Sequence, residues 1–150
     1  MRAVIQRVSH ASVKAAGERV GAIHRGLVAL IAIGRDDTPE DATYLVNKTI
    51  EMRIFPDAEG RFDRSALDIG AELLVVSQFT LYADTRKGRR PSFTESAPPE
   101  VAATRYAEVV GLFEATGLHV ETGRFGEMMD VSLVNDGPVT IWLDSVDRKA

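Results

Sequence analysis

Nine consecutive residues, Gly26 to Gly34 (GLVALIAIG), carry no polar side chain. A run this short, this apolar and closed by glycine at both ends reads as a buried strand. A second stretch, ELLVVSQFTLYAD, starts the same way: Leu73 to Val76 is dense in branched residues. It then turns directly into the polar and aromatic residues Ser77 to Asp84. A chain holding two such runs has to be built around a sheet, and the remaining segments are read as what surrounds it.

Residues Arg2 to Val13 alternate well enough for a long strand, with a turn at Ala15 to Glu18 and a return strand at Val20 to Ile23. Thr38 is a good N-cap, Pro39 suits the first helical position, and Glu40 and Asp41 favour the positive helix start. Ala42, Leu45, Val46, Thr49 and Ile50 follow at helical spacing, predicting a helix from Pro39 to about Met52. FPDAEGRFD reads as a turn and TRKGRRPSFTESAPPE as a polar loop whose tail offers Ser96 as the next N-cap. Ala102, Tyr106, Val109, Val110 and Phe113 form a second helical stripe, ended by Gly117. Strands are expected at Leu118 to Glu121, Met128 to Val134 and Val139 to Leu143. The sum is an α+β class: a barrel-like antiparallel or mixed β-sheet with two main helices. At 150 residues, residues 1–150 are expected to form a single domain.

Composition narrows the function classes. No apolar run is long enough for a membrane helix, and the alternating, charged start is a strand pattern, not a signal peptide. There is no cysteine, which removes disulfides, thiolate nucleophiles and Cys-ligated zinc, and fits a cytoplasmic protein. His10, His24 and His119 are not spaced like a metal pair, so neither a metal nor another cofactor is expected. No nucleophile elbow, phosphate-binding loop or dinucleotide fingerprint is present. The net charge of −4 argues against a generic nucleic-acid coat but leaves room for a local basic patch. Arg86, Lys87, Arg89 and Arg90, broken by Gly88, form such a patch. It is either a solvated loop or a set of phosphate contacts.

Two polar motifs stand out. Ser77, Gln78 and Thr80 close a buried strand, where hydroxyls, an amide and unpaired backbone N–H groups are open to a substrate or simply cap the strand. The stretch NDGPVT (Asn135 to Thr140) lies between two strand patterns, where Asp-Gly ordinarily signals a hairpin. The proline that follows has no N–H to close a four-residue turn. A cis Gly137–Pro138 bond would turn the chain sharply, but only about one X–Pro bond in twenty is cis, so a trans bond in a wider loop is the commoner solution.

Taken together, MRAVIQRVSHASV, SQFTLYAD and NDGPVT resemble the D-aminoacyl-tRNA deacylase family, in that family's order and spacing and over the whole chain. The resemblance implies a homodimer with the active site at the subunit interface. It also implies hydrolysis of the ester between a D-amino acid and the terminal ribose of tRNA. Ser77, Gln78, Phe79 and Thr80 would line the reaction centre. Gly137 and Pro138, joined by a cis bond, would enter the partner's site and read chirality. The attacking group would be Thr80 or a water assisted by the substrate's own ribose hydroxyl. Independently of the resemblance, the charge of Arg86, Lys87, Arg89 and Arg90 suits them to hold the tRNA acceptor end through its phosphates. Two other classes compete with this reading: an acyl hydrolase of small molecules that needs no RNA, and a non-catalytic RNA-binding module.

Overall fold

The computed structural model describes residues 1–149. Strand β1 (Arg2–Ala15) leads through a tight turn into β2 (Glu18–Ile23), and β3 (Gly26–Ala32) follows at once. Helix α1 (Pro39–Glu51), a small hairpin of β4 (Phe55–Pro56) and β5 (Phe62–Arg64), and the one-turn helix α2 (Ala66–Ile69) lead to β6 (Glu72–Ser77). A 3₁₀ helix at Phe79–Tyr82 precedes α3 (Pro99–Glu114). The chain ends with β7 (Val120–Thr122), the long β8 (Met129–Asp144) and a second 3₁₀ helix at Ser145–Lys149.

The apolar run of β3 is buried because its two faces look into two cores. Leu27, Ala29 and Ile31 point into the larger core, with Leu73 and Val75 of β6, Leu45 and Val46 of α1, and Val109 and Phe113 of α3. Val28 points the other way, with Leu74 and Val76 of β6 and Val8, Val13 and Ile23, into a smaller core inside the curl of the sheet. Strands β3 and β6 run parallel, Gly26 opposite Glu72 through Ile31 opposite Ser77. Parallel neighbours need a crossover, and α1 with the small hairpin supplies it. Gly26 has no alternative: a Cβ there would sit 1.8 Å from the Glu72 carbonyl oxygen.

The sheet runs β2-β1-β3-β6-β7, with β8 on the free edge of β1. It is mixed: β1 is antiparallel to β2, β3 and β8, while β6 is parallel to β3 and β7. It curls until β2 meets the far end of the order. The approach is so close that a Cβ on Gly21 would lie 2.9 Å from the Thr122 carbonyl oxygen. The result is a nearly closed barrel with the helices outside it.

Helix α1 starts where the sequence places it. The Asp41 carboxylate accepts from the Thr38 N–H at 2.8 Å and the Thr38 hydroxyl at 2.9 Å, and also from Arg148 Nε at 2.9 Å. The same end of the molecule buries the Met1 α-ammonium, which pairs with Asp37 at 2.5 Å and donates to Ser145 Oγ at 2.7 Å. Helix α3 departs from expectation at its start. Its N-cap is Pro98, not Ser96, and Ser96 N–H instead donates to the Phe93 carbonyl. The SALDIG segment forms α2, capped by Ser65 and Asp68 and closed by Gly70 in the left-handed region. FPDAEGRFD is the β4–β5 hairpin rather than a bare turn. None of the described helices is long and apolar enough to cross a membrane.

The largest correction concerns NDGPVT. The segments on either side of it are not two arms of a hairpin but one strand, β8, and both pair with β1 in the same direction. Arg2 to Gln6 lie opposite Asp144 to Thr140, and His10 to Ala15 lie opposite Val134 to Met129. Between Gln6 and Val8 stands one residue, Arg7, while β8 carries four, Asp136 to Val139, over the same interval. The Gly-Pro segment is therefore a wide bulge pushed out of the ladder.

Candidate active site

Strand β6 stops pairing at Ser77, opposite Ile31. The next amide, that of Gln78, still reaches back to the Ile31 carbonyl at 2.7 Å. Gln78 then leaves the sheet at φ −143° and ψ 70°, and the chain winds into the 3₁₀ helix Phe79–Tyr82. Later amides are paired: Leu81 N–H donates to Gln78 and Ala83 N–H to Thr80. The Phe79 and Thr80 N–H groups stand at the start of the turn, where no intrahelical acceptor exists. Among the described residues neither has an acceptor elsewhere. Two free, adjacent donors on an exposed turn are suited to an oxygen that gains negative charge.

The side chains around them are arranged rather than reactive. The Gln78 amide donates to the Thr80 hydroxyl at 2.5 Å. No histidine or carboxylate among the described residues hydrogen-bonds to Thr80. His24 faces Glu72, His119 faces Glu121 and the His10 ring lies within hydrogen-bond distance of the Ser9 hydroxyl. Phe79, more than half exposed, meets Phe93 edge-on at 5.1 Å between centroids.

The basic loop is fastened beside this turn. Asp84 and Ser92 exchange backbone hydrogen bonds at 2.7 and 2.9 Å, which pinches the loop at its base. Arg35 also ties down the neighbouring segment by donating to the Thr94 carbonyl. The four cations do not act alike. Arg86 holds Asp84 with two side-chain bonds, at 2.9 and 2.7 Å, and its backbone N–H adds a third. Those contacts keep the Asp84 carboxyl well below the usual carboxylate range. Arg86 therefore shapes the loop, whereas Lys87, Arg89 and Arg90 are exposed with no ion pair among the described residues.

The Gly137–Pro138 bond is cis. Both residues are exposed at the tip of the bulge. Behind them lies a residue that sequence reasoning missed. Arg7 is 7% exposed and occupies the gap in the β1–β8 ladder. Its Nε donates to the Asp136 carbonyl at 2.8 Å, and its Nη1 to the Ile54 carbonyl at 2.7 Å. The Asp136 carboxylate lies 3.4 Å from Nε, and the Phe62 ring of the small hairpin lies under the guanidinium, 5.4 Å from its centroid. A sequence signal existed: Arg7 falls on the inward phase of an alternating strand, after Ala3 and Ile5. A charge at such a position has to be paired.

One chain does not bring the two motifs together. In the order β8-β1-β3-β6 two strands stand between them. At about 4.8 Å per strand, that is roughly 14 Å across the sheet alone.

With this geometry in place, the relatives of the chain can be compared with it. The family model for D-Tyr-tRNA(Tyr) deacylase matches residues 4–144. The chain belongs to that family. It is 61% identical over 145 residues to the D-aminoacyl-tRNA deacylase of Roseiflexus sp. (strain RS-1), covering 97% of this chain and 94% of that one. It is 57% identical to the corresponding protein of Thermosipho africanus (strain TCF52B), with 97% of each chain covered. Among solved structures, the c-Myc DNA Unwinding Element Binding Protein superposes with a TM-score of 0.91 at 39% identity, over 96% of this chain and 98% of that one. A probable eukaryotic D-amino acid tRNA deacylase shares the fold with a TM-score of 0.84 at 18% identity, over 95% of this chain and 97% of that one.

The brace at Arg7 makes a stability prediction. Arg7→Ala leaves one buried carbonyl, that of Ile54, and one part-buried carbonyl, that of Asp136, without their donor, a loss of about 2–3 kcal/mol. In a chain of this size each kcal/mol moves the melting temperature by about 2–4 °C. Arg7→Lys recovers only part, since one ammonium cannot span both carbonyls as the guanidinium fork does. Thermal unfolding of the three proteins measures this, and an unchanged midpoint in Arg7→Ala refutes the brace.

Proposed function

We propose that this chain hydrolyses the ester that joins a D-amino acid to the terminal ribose of tRNA and spares the L-ester. The observation that carries the proposal is the pair of free N–H donors at Phe79 and Thr80, at the end of β6, in a chain of the deacylase family. The reaction takes place in the cytoplasm and releases free D-amino acid and tRNA.

Water adds to the acyl carbon, and the carbonyl oxygen takes up the negative charge. The Phe79 and Thr80 N–H groups receive that oxyanion, and a single such donor is worth about 3 kcal/mol of barrier. The C–O bond then breaks, and the ribose oxygen leaves with the electron pair and takes a proton. Water rather than Thr80 is the attacking group in this proposal, supported by the Gln78 amide being the one hydrogen-bond partner of the Thr80 hydroxyl among the described residues, none of which offers it a base. The substrate's neighbouring ribose hydroxyl orients the water instead. Ser77 and Gln78 line the site, and Gln78 fixes the Thr80 rotamer.

Selection against L-esters belongs to Gly137 and Pro138 of a second copy of the chain. Three features support a shared site. The two motifs are far apart within one chain. Gly137 and Pro138 project outward. Strand β8 also leaves Val131, Val134 and Trp142 exposed, along an edge that no described strand covers. A main-chain wedge discriminates by clash, which is the effective way to separate substrates made of the same atoms. It is indifferent to the side chain's identity, so it admits glycine, and mischarged glycyl-tRNA is a substrate as well. Lys87, Arg89 and Arg90 hold acceptor-end phosphates, with Arg86 keeping the loop in shape. Such contacts position RNA without reading its sequence.

The deciding experiment is paired hydrolysis of D-tyrosyl-tRNA and L-tyrosyl-tRNA by the purified protein. The D-ester is lost rapidly and the L-ester persists. Equal cleavage of both abolishes the wedge, and equally fast cleavage of a D-aminoacyl ester lacking RNA indicates a small-molecule hydrolase. Binding of tRNA with cleavage of neither ester indicates a binding module. Thr80→Val keeps its turnover within about tenfold, while a loss of four decades assigns the attack to Thr80. By light scattering the active species has twice the 16.4 kDa mass of one chain, and activity per chain falls on dilution to monomer. A fully active monomer excludes the shared site.

A further inference from the structure

We propose that Arg2 is a positioning residue for the hydrolysis, holding the reaction turn from its far end. This rests on the reading of Phe79 and Thr80 as the oxyanion donors. The turn has two anchors. At its start, Gln78 N–H is bonded to Ile31 of the sheet at 2.7 Å. At its other end the last carbonyl groups of a short helix have no intrahelical donor. Arg2 Nη1 supplies one to the Leu81 carbonyl, at 3.1 Å.

The guanidinium is itself held on three sides. Its Nε donates to Asp144 Oδ2 at 3.0 Å, which ties it to the end of β8. Its Cζ lies 4.4 Å from the Tyr82 ring centroid and 5.6 Å from that of Trp142. Arg2 thus links the first residue of β1 and the last residue of β8 to the residue that follows Thr80.

Tyr82 is seated as tightly. Its hydroxyl fills the space beside Gly34, where a Cβ would lie 2.5 Å from Oη and 2.9 Å from Cζ. Gly34 is fixed in turn by donating its N–H to Asp37 Oδ2 at 2.6 Å. Burial, reinforced by the Asp37 and Asp144 charges, raises the Tyr82 pKa, so its hydroxyl stays protonated. The Phe79 and Thr80 donors lie between an anchor on β3 and this clamp.

A fault in the clamp moves the donors relative to the oxyanion, which exists only in the transition state. Its effect therefore falls on kcat and leaves KM in place. Arg2→Ala lowers kcat for D-tyrosyl-tRNA by roughly tenfold to a hundredfold, the range expected when oxyanion donors are misplaced. KM stays within about twofold. Arg2→Lys restores the charge but cannot bridge Leu81 and Asp144 while lying on Tyr82, so it restores little of kcat. Where Arg2→Ala does not fold, Arg2→Lys is the variant measured, with the same expected loss.

The opposite results are distinct. An unchanged kcat in a folded variant overturns the role. A raised KM with a shallower salt dependence, rescued by lysine, assigns Arg2 to a phosphate contact instead and also overturns it. Failure of the parent reading looks different, because the unmutated protein then cleaves no D-tyrosyl-tRNA at all.

Discussion

Strand β1 forms hydrogen-bonded ladders along both of its edges over most of its length. On one edge it carries β3 and then β2; on the other it carries β8 from Asp144 back to Met129. A central strand of this kind fixes the register of everything beside it, since a slip of one residue would turn each inward side chain outward. The candidate site inherits its geometry from that ladder. The Phe79–Tyr82 turn is placed by β6, which is placed by β3, which is placed by β1. The Gly-Pro bulge is placed by β8 directly. Arg2 and Arg7, one bonded to the Phe79–Tyr82 turn and one filling the bulge, are five positions apart on the same strand.

The bulge poses a physical problem that the rest of the strand does not. Where β8 leaves the ladder, the Asp136 carbonyl loses its strand partner, and the Ile54 carbonyl takes its hydrogen bond from the same arginine. Unpaired buried acceptors cost about 1–3 kcal/mol each. A buried arginine meets this need because it is a rigid fork with donors to spare, and the Asp136 carboxylate balances its charge. The Phe62 ring covers the guanidinium from the side. The small β4–β5 hairpin thereby has a role beyond connecting α1 to α2. It helps close the pocket in which the cation sits.

The regular parts of the fold were legible because local chemistry and tertiary packing agree there. Thr38, Pro39 and Asp41 set the start of α1, and its apolar stripe faces the core. The runs in β3 and β6 read as buried strands and are buried on both faces. At Ser96 a capping-type residue yields to Pro98, at the start of a helix that packs on α1 and β7. NDGPVT misled for a deeper reason. A turn signal states that the chain leaves its ladder, not whether it returns to the same neighbour. That depends on β1, more than a hundred residues away in sequence. Arg7 escaped notice for the same reason, as its partners Asp136 and Ile54 are brought to it only by the fold. The Ser77 to Thr80 cluster was visible as residue types, while the free N–H groups that give it chemical meaning required the turn geometry.

The separation of the two motifs bears on how a chirality filter can be built at all. Discrimination between esters that differ only in configuration at Cα demands contact with the substituents of that carbon, so in the proposed site the filter has to reach the carbon next to the carbonyl that the Phe79 and Thr80 donors would hold. Within a single barrel two strands, β1 and β3, separate the bulge from the Phe79–Tyr82 turn. Bending β8 to deliver it would break the β1 ladder on which both motifs depend. In the proposed dimer, supplying the tip from a second copy would leave each ladder intact and let both parts of the site remain rigid. It would also favour a wedge made of main chain over one made of a side chain. A bulge braced by a buried arginine has no rotamers to lose, so a clash with an L-ester there would not be relieved by a side chain swinging aside.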